Sequence, residues 1–307
     1  MTPGALLDPG EPTAEADDHE HEGHEHAQEP EDKRLRVLHG ASPFCWWTYG
    51  YEGVLNRLRL VYGDQIKVNT YQIPVYQDLE EHNKSYGTDD PKVMAEWKAE
   101  AEQFMGLPIR PEAVAKLPKT CVPGTLAVSA AEICQPGAGE KLARWIGFLV
   151  NVDPQGRDMD DEATYLKLAE LLGLPRKPVE QALEDGRAEA RVREEMQSMH
   201  ALGLNFFALQ ARDFEGRTVI IEYAFDSAKM EEALEWLSRG KLRKHALPSP
   251  TDYIVQHAPV SMREVREVFR LDEAKVLAAA QAAERGGKVV RKEYQGHTFW
   301  LPKALAL

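Results

Sequence analysis

Residues 42–51 read SPFCWWTYGY, and the one thiol in this stretch, Cys45, lies between a short apolar run and a helical pattern. The apolar run is residues 35–38 (LRVL), and the helical pattern continues through Val54, Leu55, Leu58 and Val61. Cys45 is therefore expected at the end of a strand and the start of a helix, where free N–H groups and the helix dipole favour a thiolate. We expect its pKa to lie below the ordinary cysteine value. The competing interpretation is a buried structural cysteine covered by Phe44 and Trp46.

Position 48 limits the sulfur chemistry that Cys45 could perform. A dithiol oxidoreductase carries its second cysteine three residues after the first, where this chain has Thr48. A hydroxyl forms no sulfur–sulfur bond and cannot resolve a mixed disulfide, although it can donate a hydrogen bond to a thiolate and keep its pKa low. Monothiol chemistry remains: mixed disulfide formation with a small thiol, addition to an electrophile, or oxidation to sulfenic acid.

The segment around Cys45 resembles the DsbA-like branch of the thioredoxin superfamily, especially cytoplasmic disulfide isomerases with the signature Asp-Pro-x-Cys-x-Trp-Cys-x-Gly-Phe-x-Pro. The matching residues are Pro43, Cys45, Trp47, Gly50, Tyr51 and Glu52, followed by residues 61–64 (VYGD) at the end of the family's helix. Ser42 replaces the aspartate and Thr48 replaces the second cysteine.

The likeness continues along most of the chain, through residues 148–158, 166–174 and 191–204. In the family the last segment leads to a loop whose cis-proline faces the thiol, and Ala208 stands at that position here. The resemblance implies a catalytic pair, Cys45 and Thr48, with substrate contacts from Pro43, Phe44, Trp46, Trp47, Phe207 and Ala208. Loss of both the second cysteine and the proline argues against an ordinary dithiol oxidase or isomerase.

Hydrophobic periodicity predicts the same α/β architecture, a thioredoxin-like fold with a large helical insertion. Strands are expected near 34–39, 66–71, 206–211 and 219–223, with helices at 46–62 and 227–237. The segment between 91 and 202 repeats apolar residues every three or four positions and has Gly or Pro between the repeats. This pattern indicates helices at 93–105, 125–134, 140–150, 161–172, 178–183 and 187–199.

Beyond Gly240 the sequence changes character. Residues 241–250 contain two prolines and are typical of a linker. Helices are expected at 251–257, 261–269 and 272–285, the second with a Ser261/Glu264 capping box, and a hairpin follows. This order resembles a winged-helix domain. The predicted division is an acidic tail at 1–32, a thioredoxin-like domain at 33–240, a linker at 241–250 and a winged-helix-like domain at 251–307.

Winged helices often bind DNA, a role that requires a surplus of positive charge. Its hairpin carries Lys288, Arg291, Lys292 and His297, but the expected recognition helix is largely alanine. Residues 251–307 hold nine Lys and Arg against seven Asp and Glu, which is little for electrostatic DNA binding. We therefore expect protein contacts here, with Phe299 and Trp300 anchoring either the thioredoxin-like body or a second subunit.

The acidic tail holds most of the chain's formal charge. Residues 1–32 contain eleven Asp and Glu and no Lys or Arg, within a net charge of −13. Such a composition buries too little apolar surface to fold, so the tail is expected to be disordered. Four interleaved imidazoles could hold zinc or nickel weakly; they are His19, His21, His24 and His26. The alternative is a solvated acidic segment without a metal.

The remaining features set the cellular context and the function classes. Three cysteines make no disulfide framework, and Cys121 and Cys134 are interpreted as isolated structural thiols. Neither a signal peptide nor a run of transmembrane length is visible, which predicts a cytoplasmic protein without membrane contact. No cofactor is expected beyond a small-thiol co-substrate and the weakly bound metal.

Three function hypotheses follow from these features. The first is a monothiol enzyme of the thioredoxin superfamily acting on a protein or small-thiol substrate. The second is a non-catalytic protein-binding adaptor on the same fold. The third is a redox- or metal-responsive DNA-binding regulator, although nucleic acid is not favoured. Oligomeric state is left open.

Overall fold

A four-stranded mixed sheet is formed by strands within residues 35–222, which make up the larger part of the molecule. The computed structural model describes residues 32–110, 117–155 and 157–305. The strands are β1 (Leu35–Ala41), β2 (Ile66–Gln72), β3 (Ala208–Arg212) and β4 (Thr218–Glu222), in the order β2-β1-β3-β4. β1 pairs parallel with β2 and antiparallel with β3, which in turn pairs antiparallel with β4. This sheet and the helices around it confirm the predicted α/β fold class.

The helix expected after β1 is divided in two. α1 (Trp46–Gly50) ends before Tyr51, and α2 (Glu52–Tyr62) begins after it. Tyr51 is fully buried, its ring stacks on Phe225 at 4.6 Å, and its hydroxyl donates to the Phe207 carbonyl at 2.7 Å. These contacts with distant residues fix the break, which the local periodicity does not show.

Seven helices lie between β2 and β3 in the described ranges. They are α3 (Leu79–Tyr86), α4 (Pro91–Met105), α5 (Val122–Cys134), α6 (Ala138–Asn151), α7 (Glu162–Leu171), α8 (Arg176–Glu184) and α9 (Arg187–Ala201). Periodicity predicted all of them except α3. This short polar helix buries no residue and is defined by its ends, because Asp78 caps the Glu81 N–H at 2.9 Å and Gly87 ends it with φ 67°.

The C-terminal elements follow α10 (Ser227–Ser238), which packs on the first sheet. They are α11 (Pro250–His257), β5 (Val260–Ser261), α12 (Met262–Phe269), α13 (Glu273–Arg285), β6 (Val289–Tyr294) and β7 (His297–Pro302). The strands form a second sheet in the order β5-β7-β6. The two-residue strand β5 was not predicted, because two residues are too short to show a strand period. The winged-helix interpretation and the domain boundaries stay predictions.

Phe299 and Trp300, adjacent aromatic residues of β7, pack into two different hydrophobic cores. Phe299 is fully buried against Phe148 of α6, with ring centroids 5.7 Å apart, and joins the core of the larger part. Trp300 is also fully buried, but it packs within the C-terminal elements and donates its indole N–H to Glu284 at 2.8 Å. The predicted anchoring role is confirmed for Phe299 and wrong for Trp300, because successive strand residues point to opposite faces.

A buried arginine joins the C-terminal elements to the helix that follows Cys45. Arg144 of α6 donates to Glu52 of α2 at 3.0 Å and to Glu264 of α12 at 2.5 Å. It also donates to the carbonyl of Pro259 at 2.7 Å. Ser261 caps the Glu264 N–H at 3.0 Å as predicted, but the Glu264 carboxylate extends to Arg144 rather than closing the capping box.

Within the described ranges, no helix combines the length and the apolar character that a membrane crossing requires.

Candidate active site

Cys45 is the N-cap residue of α1, directly after the loop that leaves β1. Its backbone is extended, with φ −93° and ψ 119°, and its N–H donates to the Ser42 carbonyl at 3.1 Å. The side chain is half-buried and the thiol is free. The strand-to-helix placement that the sequence predicted is therefore present, although α1 has only five residues.

The pKa of Cys45 does not follow the expectation of a lowered value. Burial raises the pKa of the Cys45 thiol to about 11, and hydrogen bonds from the backbone N–H groups of Thr48 and Trp47 and from the Thr48 side chain lower it by less. A five-residue helix offers only a small dipole, whereas the aromatic side chains around the thiol remove much of its solvent. The predicted thiolate is corrected to a thiol that is mostly protonated at neutral pH.

Thr48 is buried directly behind Cys45. Its hydroxyl lies 2.5 Å from the Ser42 carbonyl oxygen and 2.9 Å from the Cys45 carbonyl oxygen. A hydroxyl has one proton to donate, so the bond to Ser42 competes with the bond to the Cys45 sulfur and limits how far Thr48 lowers the pKa of the thiol. Thr48 therefore stabilises the turn that carries Cys45, whether the sulfur is a thiol or a thiolate.

Cys45 opens into an aromatic groove of about 140 Å³. Four of the predicted substrate-binding residues line this groove: Phe44, Trp46, Trp47 and Phe207. Pro43 instead lines a smaller cavity behind the turn, together with Thr48. Ala208 is buried at the start of β3 and is not part of the groove wall.

The opposite wall of the groove was not predicted. It comes from the loop after β2 and from α3 and α4, with Tyr76, His82, Tyr86 and Trp97 in successive ring contact at 5.5, 4.8 and 5.8 Å. Only the spacing of His82 and Tyr86, four residues apart on one helical face, was available as a signal. The wall depends on how α3 and α4 fold back over Cys45.

Trp47 connects the groove to a second aromatic cluster. Its ring centroid lies 6.4 Å from that of Phe104, 5.4 Å from Tyr223 and 6.1 Å from Phe225. Phe104 and Tyr223 are exposed large hydrophobic residues, at 49% and 42%. An apolar rim thus extends from the groove onto the surface.

The other cysteines and the predicted metal ligands lie apart from this arrangement. Cys121 is buried, and its thiol donates to the Tyr76 carbonyl at 2.6 Å. Cys134 is half-buried at the end of α5. The four tail histidines fall outside the described residues. Among residues that the structure describes, no group of three or more His, Cys, Asp or Glu side chains is arranged to hold a metal ion.

Comparison with known proteins identifies the fold. No protein-family model matches the chain, and no curated protein does. Among solved structures, the chain is similar to a "putative protein disulfide isomerase" from Nitrosomonas europaea, with TM-score 0.52 and 18% identity over 73% of this chain and 100% of that one. It is also similar to the cytosolic disulfide reductase DsbM from Pseudomonas aeruginosa, with TM-score 0.50 and 20% identity over 67% and 98%. The chain therefore shares the fold of these two proteins, the thioredoxin-like fold that the sequence predicted.

Proposed function

We propose that the chain exchanges disulfides by a monothiol route in which Cys45 is the nucleophile. The observation that carries this proposal is the opening of the Cys45 thiol into an aromatic groove at the strand-to-helix turn of a thioredoxin-like fold. The disulfide isomerase and disulfide reductase that share the fold support it as analogies. A cytoplasmic location fits, because a reducing compartment keeps an isolated cysteine as a thiol.

The exchange would proceed in two balanced steps. The Cys45 thiol first loses its proton to solvent, and the resulting thiolate attacks one sulfur of a substrate disulfide. This attack forms a mixed disulfide and releases the other sulfur as a thiolate, which takes up a proton from solvent. The thiolate of a small thiol then attacks the substrate sulfur in this mixed disulfide. The substrate leaves bonded to the small thiol, and Cys45 is regenerated as a thiolate. In this second step the small thiol takes the role of a resolving cysteine, which is absent because position 48 is a threonine.

The groove favours a substrate with an apolar or aromatic group beside its disulfide. Trp46 and Trp97 offer flat apolar surfaces near the thiol, and Tyr86 is 51% exposed at the rim. A small aromatic disulfide is therefore a suitable probe.

The test is adduct formation with an aromatic disulfide, followed by intact-mass measurement and peptide mapping. We expect a mixed disulfide at Cys45 that a small thiol releases, and no such adduct in Cys45→Ser. Cys134→Ser is the matched control and should retain the adduct, because Cys134 lies outside the groove. An adduct confined to Cys134, or exchange that persists in Cys45→Ser, would contradict the proposal.

A non-catalytic adaptor is the second candidate function. The raised pKa of Cys45 and the bond from Thr48 to Ser42 favour it, because both leave the thiol poorly activated. An adaptor would bind apolar peptide segments in the groove equally well in the native chain and in Cys45→Ser. A peptide that binds both proteins, without any adduct at Cys45 in the disulfide experiment, would select the adaptor.

A further inference from the structure

The strand β4 forms one edge of the first sheet. In the order β2-β1-β3-β4 it pairs with β3, and no other strand of the described ranges lies beyond it. Its sequence, TVIIE, begins with four β-branched residues and contains neither proline nor lysine. β-Branched residues favour strand pairing, whereas proteins commonly protect an open edge with lysine, proline or a bulge. β4 therefore presents an edge suited to a further strand.

The register of β3 and β4 shows which backbone groups of β4 point outward. The Tyr223 N–H donates to the Phe207 carbonyl at 2.7 Å, and the Asp213 N–H donates to the Arg217 carbonyl at 3.0 Å. Hydrogen-bonded pairs alternate with non-hydrogen-bonded pairs along an antiparallel ladder, so every second residue of β4 turns its N–H and C=O groups away from β3. These outward residues are Thr218, Ile220 and Glu222.

Large apolar side chains are exposed around this edge. Ile220 is 56% exposed in the middle of β4, Phe214 lies in the turn before β4, and Tyr223 follows β4 directly. Trp236 of α10 is 60% exposed, and its ring lies 5.7 Å from the Arg217 guanidinium just before β4. Exposed apolar groups concentrated at an open edge are typical of an interaction surface.

We propose that β4 pairs antiparallel with β4 of a second copy of this chain, around a twofold axis at Ile220, and joins the two four-stranded sheets into one. In this register Ile220 faces Ile220 of the second copy, and Thr218 faces its Glu222. The N–H and C=O groups of all three outward residues then find partners across the axis. On the other face, Val219 packs beside Ile221 of the second copy as a β-branched cross-strand pair.

Charge complementarity supports a second copy as the partner and selects this register. Arg212 of β3 lies opposite Thr218 and beside Arg36 of β1, in one row across the sheet. Neither arginine has an ion-pair partner among the residues that the structure describes, and Glu222 has none there either. Like charges in adjacent positions are unfavourable. The proposed register adds Glu222 of the second copy to this row, with its backbone about 10 Å from that of Arg212, so the two long side chains can meet over the short Thr218.

The first test is the mass of the full chain, measured by size-exclusion light scattering over a range of concentrations. We expect a dimer that dissociates on dilution. Ile220→Lys places two ammonium groups at the axis and should raise the dissociation constant at least about tenfold. Leu171→Lys is the matched control, because Leu171 is 49% exposed but lies at the end of α7, outside this edge. The control should retain the dimer.

Charge exchange tests the register. Arg212→Glu and Glu222→Arg should each weaken the dimer by roughly three- to thirtyfold, because two symmetric pairs are lost at once. The two substitutions together should restore the dimer, because the pair forms again with its charges exchanged. Far-UV circular dichroism checks that each variant folds. If Arg212→Glu does not fold, Glu222→Arg at its exposed position still tests the pair.

Several results would overturn the proposal. A monomer at every concentration up to the solubility limit would leave the edge to a strand of another protein. A dimer that Ile220→Lys does not weaken would have its interface elsewhere on the surface. Assemblies larger than a dimer would indicate open-ended pairing of β4 with a different edge. A dimer that the combined charge exchange does not restore, although both variants fold, would exclude the register centred on Ile220.

Discussion

At Cys45 two effects act on the same thiol in opposite directions. The start of α1 offers N–H groups that favour the thiolate, and the surrounding aromatic side chains remove the water that would solvate it. Sequence order was enough to place the residue at the start of a helix. The sequence left the sign of the pKa shift open, because it offered both a thiolate at a helix start and a buried thiol covered by Phe44 and Trp46. Which effect is larger depends on the whole groove, and part of its wall comes from α3 and α4.

The raised pKa predicts a steep pH dependence for alkylation of Cys45. Below its pKa the thiolate fraction rises about tenfold per pH unit, so the iodoacetamide rate should climb from about pH 7 to about pH 10 without a plateau. Peptide mapping by mass spectrometry reads Cys45 separately from the other cysteines. A plateau at or below the ordinary cysteine pKa of about 8.5 would show an activated thiolate instead.

Substituting two of the three positions at which the chain departs from the family signature that it resembles tests whether the fold still supports dithiol chemistry. Thr48→Cys supplies the resolving thiol three residues after Cys45, so we expect detectable reduction of insulin disulfides. Ala208 follows the groove residue Phe207 directly, so Ala208→Pro should increase that activity through the position of Phe207 in the groove wall. Thr48→Ser is the matched control and should remain inactive. If the double variant folds but does not reduce insulin, the surface is better explained as one remodelled for binding.

At the scale of elements, long amphipathic segments were predictable and short or tertiary features were not. The helices from α4 to α10 repeat apolar residues clearly enough to be located. The break at Tyr51, the polar helix α3 and the two-residue strand β5 depend on caps or distant contacts. The candidate site divides in the same way: the Cys45 turn was predicted, and the wall that includes Tyr86 and Trp97 was not.

The contact between α2 and α12 predicts a large stability effect at Arg144. Its side chain is 10% exposed and bridges the carboxylates of Glu52 and Glu264. Arg144→Ala would leave both carboxylates buried without their cation, which should lower the free energy of unfolding by about 3–5 kcal/mol.

Urea unfolding of Arg144→Ala should be compared with that of Arg193→Ala, which removes an exposed pair with Glu189. The control should lose less than about 1 kcal/mol. Adding Glu264→Gln to Arg144→Ala should recover part of the loss, because one of the two unpaired charges is removed. Equal effects of the two arginine substitutions would mean that the buried bridge contributes little.

At the scale of the whole molecule, the acidic tail is expected to act independently of the folded part. If the tail is disordered, as its composition predicts, its imidazoles impose no single geometry, so binding of zinc or nickel should be weak and should not couple to folding. Calorimetry on the full chain and on a chain that begins at Lys33 should show that metal binding is lost with the tail while Tm changes little. Tight binding that raises Tm would instead indicate that the tail docks on the body.

The C-terminal elements are expected to bind duplex DNA weakly, if at all. Arg291, a cation of the hairpin, pairs with Glu293 at 2.7 Å, and it would have to break this pair to reach a phosphate. Most of α13 is alanine or acidic, so few counterions would be released and the dependence of affinity on salt should be shallow. Phe299 packs β7 against Phe148 of α6, so this face of β7 is buried in a contact within the chain.

Gel-shift titration of the full chain against random duplexes at physiological salt measures this affinity. We expect no submicromolar complex, and little change when Arg291→Ala and Lys292→Ala are combined. The matched control is a Lys84→Ala, Arg193→Ala pair, which removes two exposed cations elsewhere on the surface. Submicromolar binding that the hairpin substitutions abolish and the control pair retains would make the hairpin a phosphate-binding element. The DNA-binding regulator would then replace the thiol enzyme as the leading hypothesis.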